Sequence, residues 1–174
     1  NPTARLLADN REVLKVTAPA AATYDFVPGD FGGSNFAAFK QEIVLVKDVA
    51  AAGQPAGSLG CDGATGQAAL ANAADLKGKI ALVDRGSCEF GRKALVAQNA
   101  GAVAVIIANN VPGDPAPPGP GADGAQVTIP VIAVSQQTGQ ALRGSAPVVA
   151  AGTEKDPNRF FGLDNNGRMR LYTP

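Results

Sequence analysis

Apolar positions in this chain fall into short uninterrupted runs, separated by turns rich in glycine. Lys79–Asp84 (KIALVD) is mostly β-branched or apolar, which suits a strand covered on both faces. Arg85-Gly86-Ser87 interrupts it, because glycine has no side chain to pack into a sheet and turns readily. Glu89 to Ala100 is rich in helix formers, and Phe90, Ala94 and Ala97 share one face at i, i+4 and i+7. Gly101 stands where a helix-closing glycine belongs. Ala102–Ala108 is again continuously apolar and ends on Asn109-Asn110. An apolar strand, a helix and a second apolar strand within about thirty residues predict a βαβ unit over Gly78–Asn110.

The rest of the chain predicts shorter elements. Glu12–Val16 alternates as an edge strand does, and Glu42–Val49 (EIVLVKDV) is a further strand. Gln67–Ala73, nearly all Ala, Leu and Gln, suits a short helix. Tyr24–Phe39 mixes aromatics with Pro28, Gly29, Gly32 and Gly33, which predicts a loop anchored by buried rings. Phe26, Phe31, Phe36 and Phe39 suit satellite core better than a ligand cage. Val111–Gln126 is too rich in Pro and Gly to be a helix or a central strand. Thr128–Val134 (TIPVIAV) predicts a strand, and Ser135 an N-cap for a helix to Leu142, stopped by Arg143-Gly144. Pro147–Ala151 is a short strand. The charged, Asn-rich tail from Gly152 ends in a strand candidate, RMRLY, and is expected to return beside the amino-terminal strand.

A chain of 174 residues is expected to form a single domain with a real core. That core is expected over about 42–150, with 1–41 and 152–174 as flanking extensions that complete or border it. Fifteen basic and fifteen acidic residues cancel, and no basic run could track phosphates, so a nucleic-acid partner is not expected. Apolar runs stop at about seven residues, far short of a membrane span. The chain starts at Asn1 without Met or signal sequence, and both ends look like cut points in a longer polypeptide.

The absence of His removes Ser-His-Asp and Cys-His pairs, an HExxH zinc site and an imidazole base. A hydrolase working without His would need a GxSxG elbow or paired carboxylates, and neither pattern occurs. Two cysteines alone cannot complete a zinc site, and no cofactor or metal is expected. Cys61 and Cys88 are either two buried thiols or a disulfide. Their placement in Gly/Ser-rich turns favours the disulfide, closing a loop of about 28 residues, worth on the order of 3–4 kcal/mol. A disulfide implies an extracellular or periplasmic setting. Gly119–Gly124 satisfies G-x-G-x-x-G, but a Pro tract precedes it and a strand follows, where a dinucleotide site needs a strand and then a helix. Asp164–Gly167 lacks the alternating ligands of a calcium loop and suits a turn.

Ligand sites in α/β folds collect beyond the carboxyl ends of the strands. Arg85, Ser87 and Glu89 surround Cys88 in one such turn, Asn109-Asn110 ends the neighbouring strand, and Asp114 stands in the long loop. These six form the candidate ligand-binding rim, able to receive an extended peptide or a carbohydrate with the 111–126 loop as a flap. Alternatively, Arg85 pairs with Asp84 or Glu89 and only braces the turn.

The segment Asp75–Leu142 is similar to the protease-associated (PA) domain. Leu76–Val83 (LKGKIALV) resembles the first strand of that family's conserved block, and Arg85–Phe90 (RGSCEF) its RGxCxF turn. Lys93–Ile107 resembles its KxxxAQxAGAxAVII helix and strand, and Ile129–Ile132 with Ser135–Leu142 its IPV strand and following helix. Cys61 has a counterpart in many members, where it pairs with the Cys of RGxCxF. The resemblance implies a mixed α/β (α+β) PA-domain fold: a curled β-sandwich or open barrel with two or three flanking helices. It implies a secreted, non-catalytic accessory module that binds protein or peptide substrate or gates an active site. Its partners would be that substrate and a peptidase catalytic domain in the same polypeptide. A structural spacer or dimerisation domain is the alternative. Val16–Tyr24 with Phe31-Gly32 resembles the lead-in of PA domains in secreted bacterial zinc metallopeptidases of the fungalysin type. Subtilisin-like peptidases, aminopeptidases and vacuolar sorting receptors carry PA domains too.

Overall fold

The βαβ unit lies in the middle of a nine-stranded sheet in the computed structural model. The structure describes residues 7–34, 41–50, 52–53, 56–62, 69–144, 146–163 and 169–172. Its strands are β1 (Leu7–Ala18), β2 (Ala22–Asp25), β3 (Val27–Pro28), β4 (Gln41–Leu45), β5 (Ile80–Asp84), β6 (Ala104–Ala108), β7 (Val131–Val134), β8 (Val148–Leu163) and β9 (Met169–Tyr172). Helix α1 (Phe90–Asn99) connects β5 to β6, and α2 (Gln136–Ala141) follows β7. Strands β4, β5, β6 and β7 are parallel neighbours, and the remaining pairings are antiparallel.

The sheet order is β2-β1-β8-β4-β5-β6-β7-β3, with β9 beside β8. The two end strands, β2 and β3, are separated in the chain by Phe26 alone. The sheet must therefore curl until its edges face each other, which makes the expected open barrel. Alternate residues of the parallel strands enter two different cores. Ile80, Leu82, Ile106, Ile132 and Val134, with Ile43 of β4, meet Leu14, Val16 and Val149 from the antiparallel strands, with Leu142 beside them. Ala81, Val83, Val105, Ile107 and Val131 meet Ala94, Leu95 and Ala97 of α1. Burial on both faces is why these strands show no polar alternation.

Several expected boundaries move, for physical reasons. β7 begins at Val131 rather than Thr128, since Pro130 has no N–H and the amides of Thr128 and Ile129 donate to the Gln98 side chain. β4 ends at Leu45, after which Val46 still donates to Leu82 O and Asp48 turns to hold the segment at 57–60. The expected loop at 24–39 contains the end of the closing strand β2 and the whole of β3, while Phe26 and Phe31 pack against the two cores as satellites. The described part of the expected helix at 67–73 is not helical: Leu70 bridges to Asp48, and a 3-10 turn follows at Ala73–Leu76. Phe36, Phe39 and Asp164–Gly167 lie outside the described residues.

β8 runs well past the expected Ala151, and it pairs with β1 from Ala18↔Val148 to Leu7↔Phe161. The tail thus returns beside the amino-terminal strand. β2 accompanies β1 only over Val13–Val16, and β4 meets β8 only at Val148 and Val149. Beyond those points β1, β8 and β9 form a ribbon whose strands, among the described residues, pair only with one another.

Candidate functional site

The carboxyl ends of β5, β6 and β7 form one rim, and backbone bonds fix its register. Arg85 N donates to Ala108 O at 2.9 Å, and Asn109 N to Val134 O at 3.0 Å. On that frame Arg85 Nη1 donates to Asn109 Oδ1 at 2.9 Å, and the same oxygen accepts from Asn110 N at 3.1 Å. Asn109 is only 5% exposed, so its amide is a buried brace, whereas Arg85 and Asn110 face solvent. Three candidate residues are therefore brought together. Among the described residues Arg85 pairs with no carboxylate: Asp84 accepts from the Ser58 hydroxyl and from Arg143, and Glu89 accepts from Ala122 N at 2.9 Å. Asp84, Asn109, Asn110, Gln136, Gln140 and Arg143 line an open depression of about 440 Å³. Its surface offers neutral amides and one neutralised ion pair, chemistry suited to hydrogen-bonding a polar chain.

The other three candidates point elsewhere. Ser87 is exposed at the tip of its turn, with φ of 65°. Glu89 is spent on the long loop. Asp114 lines a separate cleft of about 420 Å³ with Tyr24, Phe26, Ser135 and Thr138. The loop itself is only partly free to act as a flap. From Pro118 onward it is tied down: Asp30 N donates to Pro118 O at 2.9 Å, Arg92 pairs with Asp123 at 3.4 Å, and Gln98 Nε2 donates to Gln126 O at 3.1 Å. Pro115, Ala116 and Pro118 shelter the flank of Arg85 nearest Phe90.

Beneath the turn lies a residue that the sequence pattern did not single out. Lys93 is fully buried on α1, and its ammonium donates to Leu59 O at 2.5 Å and sits 3.6 Å from Cys61 Sγ. The signal was its spacing, three after Phe90 and four before Ala97, which puts a lysine on the face turned to the sheet. Asp48 accepts from Leu59 N and Gly60 N at 2.7 and 2.8 Å, so the 57–61 segment is lashed between β4, β5 and α1. Cys61 and Cys88 form the disulfide, which pins this segment to the Arg85 turn.

Burial pushes the Lys93 pKa below its ordinary 10.5, against the pull of Asp48 and Asp84. Between the folded and unfolded values the unfolded chain binds the extra proton, so stability rises with pH there. The burden is full below the folded value and gone above 10.5. The stability of the wild type relative to Lys93→Met is therefore expected to climb with pH as 10.5 is approached from below. Denaturant unfolding of both proteins across the range checks this, and a flat or falling difference would contradict it.

Comparison with known proteins fits this geometry. The PA domain family profile matches residues 45–142, more than half of the chain. Aminopeptidase YwaD of Bacillus subtilis is 46% identical over 69 residues, covering 40% of this chain and 15% of that protein. The probable lipoprotein aminopeptidase LpqL of Mycobacterium tuberculosis is 33% identical over 138 residues, 71% of this chain and 27% of that protein. The chain thus spans well under a third of these relatives. The solved structure of BSAP, a zinc aminopeptidase from Bacillus subtilis, matches 93% of this chain and 36% of its own, with a TM-score of 0.58 at 21% identity, and so shares the fold.

Proposed function

The chain belongs to the PA domain family, and from that premise we propose that it is the accessory module of a secreted aminopeptidase, without catalysis of its own, and that it binds the polypeptide substrate along the β5–β7 rim. The named relatives favour an aminopeptidase parent over the fungalysin type that the amino-terminal lead-in resembles. The observation that carries substrate binding is the Arg85–Asn109–Asn110 cluster beside an open depression. Its braces are buried, its donors are exposed, and Gln136 Nε2 donates to Asn110 O at 3.2 Å across it. An extended peptide presents a regular series of carbonyl and amide groups, which Asn and Gln side chains can meet in either sense. The β1–β8–β9 ribbon favours a second reading, a spacer that sets the domain's distance from its neighbour.

One experiment separates the two. In the full-length protein that carries this segment, Arg85→Ala with Asn110→Ala is expected to raise KM for a long polypeptide roughly three- to tenfold, the loss of one or two hydrogen bonds. Turnover of a dipeptide amide should be unchanged. An unchanged ratio between long and short substrates would leave only the spacer reading.

A further inference from the structure

The disulfide is not symmetric in its surroundings. On the Cys61 side, the Lys93 ammonium lies 3.6 Å from the sulfur and donates to Leu59 O two residues away. Asp62, the nearest carboxylate in sequence, is held in a two-pronged bond by Arg92, with both contacts at 2.6 Å. Asp48 and Asp84 are engaged by Leu59, Gly60, Ser58 and Arg143. On the Cys88 side, the neighbours Ser87 and Glu89 are exposed, and the Glu89 carboxylate stands next in the chain. Both cysteines are half-buried rather than sealed in the core. The amino terminus of α1 also lies near Cys88 and favours negative charge. However, Cys88 precedes the first helical residue by two positions, and Glu89 already supplies a charge there.

We propose that the Cys61–Cys88 bond is an exchange site for small soluble thiols, with Cys88 as the sulfur attacked and Cys61 as the leaving group. An external thiolate attacks Cys88 Sγ; the new S–S bond joins the thiol to Cys88, the Cys61–Cys88 bond breaks, and its electron pair stays on Cys61 Sγ as a thiolate. Lys93 stabilises that thiolate, and a better-stabilised leaving group departs faster. With a dithiol reductant, its second thiolate attacks the reductant's own sulfur in the mixed disulfide. That closes a cyclic disulfide and releases Cys88, so the protein gains two electrons and the dithiol loses two. Opening the bond releases only the Cys61 end of the 57–61 segment from the Arg85 turn, while Asp84, Asp48 and Lys93 still hold residues 58–60. The exchange thus makes the covalent tie between Cys61 and the Arg85 turn depend on thiol concentration. It is independent of whether the rim binds peptide.

The wild-type chain is incubated with glutathione, quenched with iodoacetamide and mapped by peptide mass spectrometry. Glutathione is expected on Cys88 and the carbamidomethyl group on Cys61, in a ratio of roughly threefold to tenfold over the reverse pattern, as preferential departure of the lysine-stabilised thiolate implies. Lys93→Met should even the distribution, and Lys93→Arg should keep it. An even or reversed distribution in the wild type would overturn the proposal. So would a preference that survives Lys93→Met.

Discussion

Replacing both Cys61 and Cys88 with serine is expected to cost about 3–4 kcal/mol of stability, measured by denaturant unfolding under non-reducing conditions. The estimate comes from the unfolded chain. The bond joins residues 27 apart, and closing a loop of that length in the unfolded state removes the corresponding entropy. The folded state should change little, because the 57–61 segment has other anchors. Asp48 holds Leu59 and Gly60, Lys93 holds Leu59 O, and Asp84 N donates to Ser58 O at 2.7 Å. At about 2–4 °C per kcal/mol for a domain of this size, the midpoint of thermal unfolding should fall by about 6–16 °C. The denaturant slope should rise, since a chain without the crosslink exposes more surface when it unfolds. A loss under about 1 kcal/mol would mean that the unfolded state keeps these segments together without the bond.

The middle of the fold was legible because it depends on local pattern. Continuous apolar runs at 80–83 and 102–108 are what a strand with cores on both faces requires. Ser135 behaves as the cap it resembles, accepting from Thr138 N at 3.1 Å. What closes the barrel was not legible. β2 and β3 have four and two residues, too short to show a period among glycines and prolines. Their existence depends on β1 and β7, which are present only once the sheet has curled. The polar anchors failed for the same reason. Polar side chains on a helix ordinarily face solvent, yet the partners of Lys93 and Gln98 are backbone groups 34 and 30 residues away. In the candidate site, Arg85, Asn109 and Asn110 follow from strand register, which the βαβ unit fixes. Ser87, Glu89 and Asp114 were chosen for nearness in sequence, but the left-handed turn at Ser87 and the tethered loop decide where those side chains go.

The tethered loop also supports a test that runs against helix propensity. Gly91→Ala lies in the first turn of α1, where alanine ordinarily stabilises by about 0.5–1 kcal/mol. Here it is expected to destabilise by about 2–4 kcal/mol, as over-packing against an unyielding neighbour does. A Cβ on Gly91 would stand 1.9 Å from Pro120 O and 2.8 Å from Gly124 N, and both are backbone atoms. Neither can rotate away as a side chain would, so the loop from Pro118 to Gly124 must lift. Lifting breaks the Ala122–Glu89 bond and the Arg92–Asp123 pair, and pulls at Phe31, which packs near Gly124. Gly119→Ala is the control, since a Cβ there meets nothing within 4 Å. Thermal unfolding should place the Gly91 variant about 4–16 °C below wild type and the Gly119 variant within a degree or two of it. Hydrogen exchange should show faster exchange at the Ala122 amide in the Gly91 variant alone, while β5 and β6 stay protected. Equal stability of the two variants would mean that the loop does not rest on α1 as closely as the 1.9 Å approach requires.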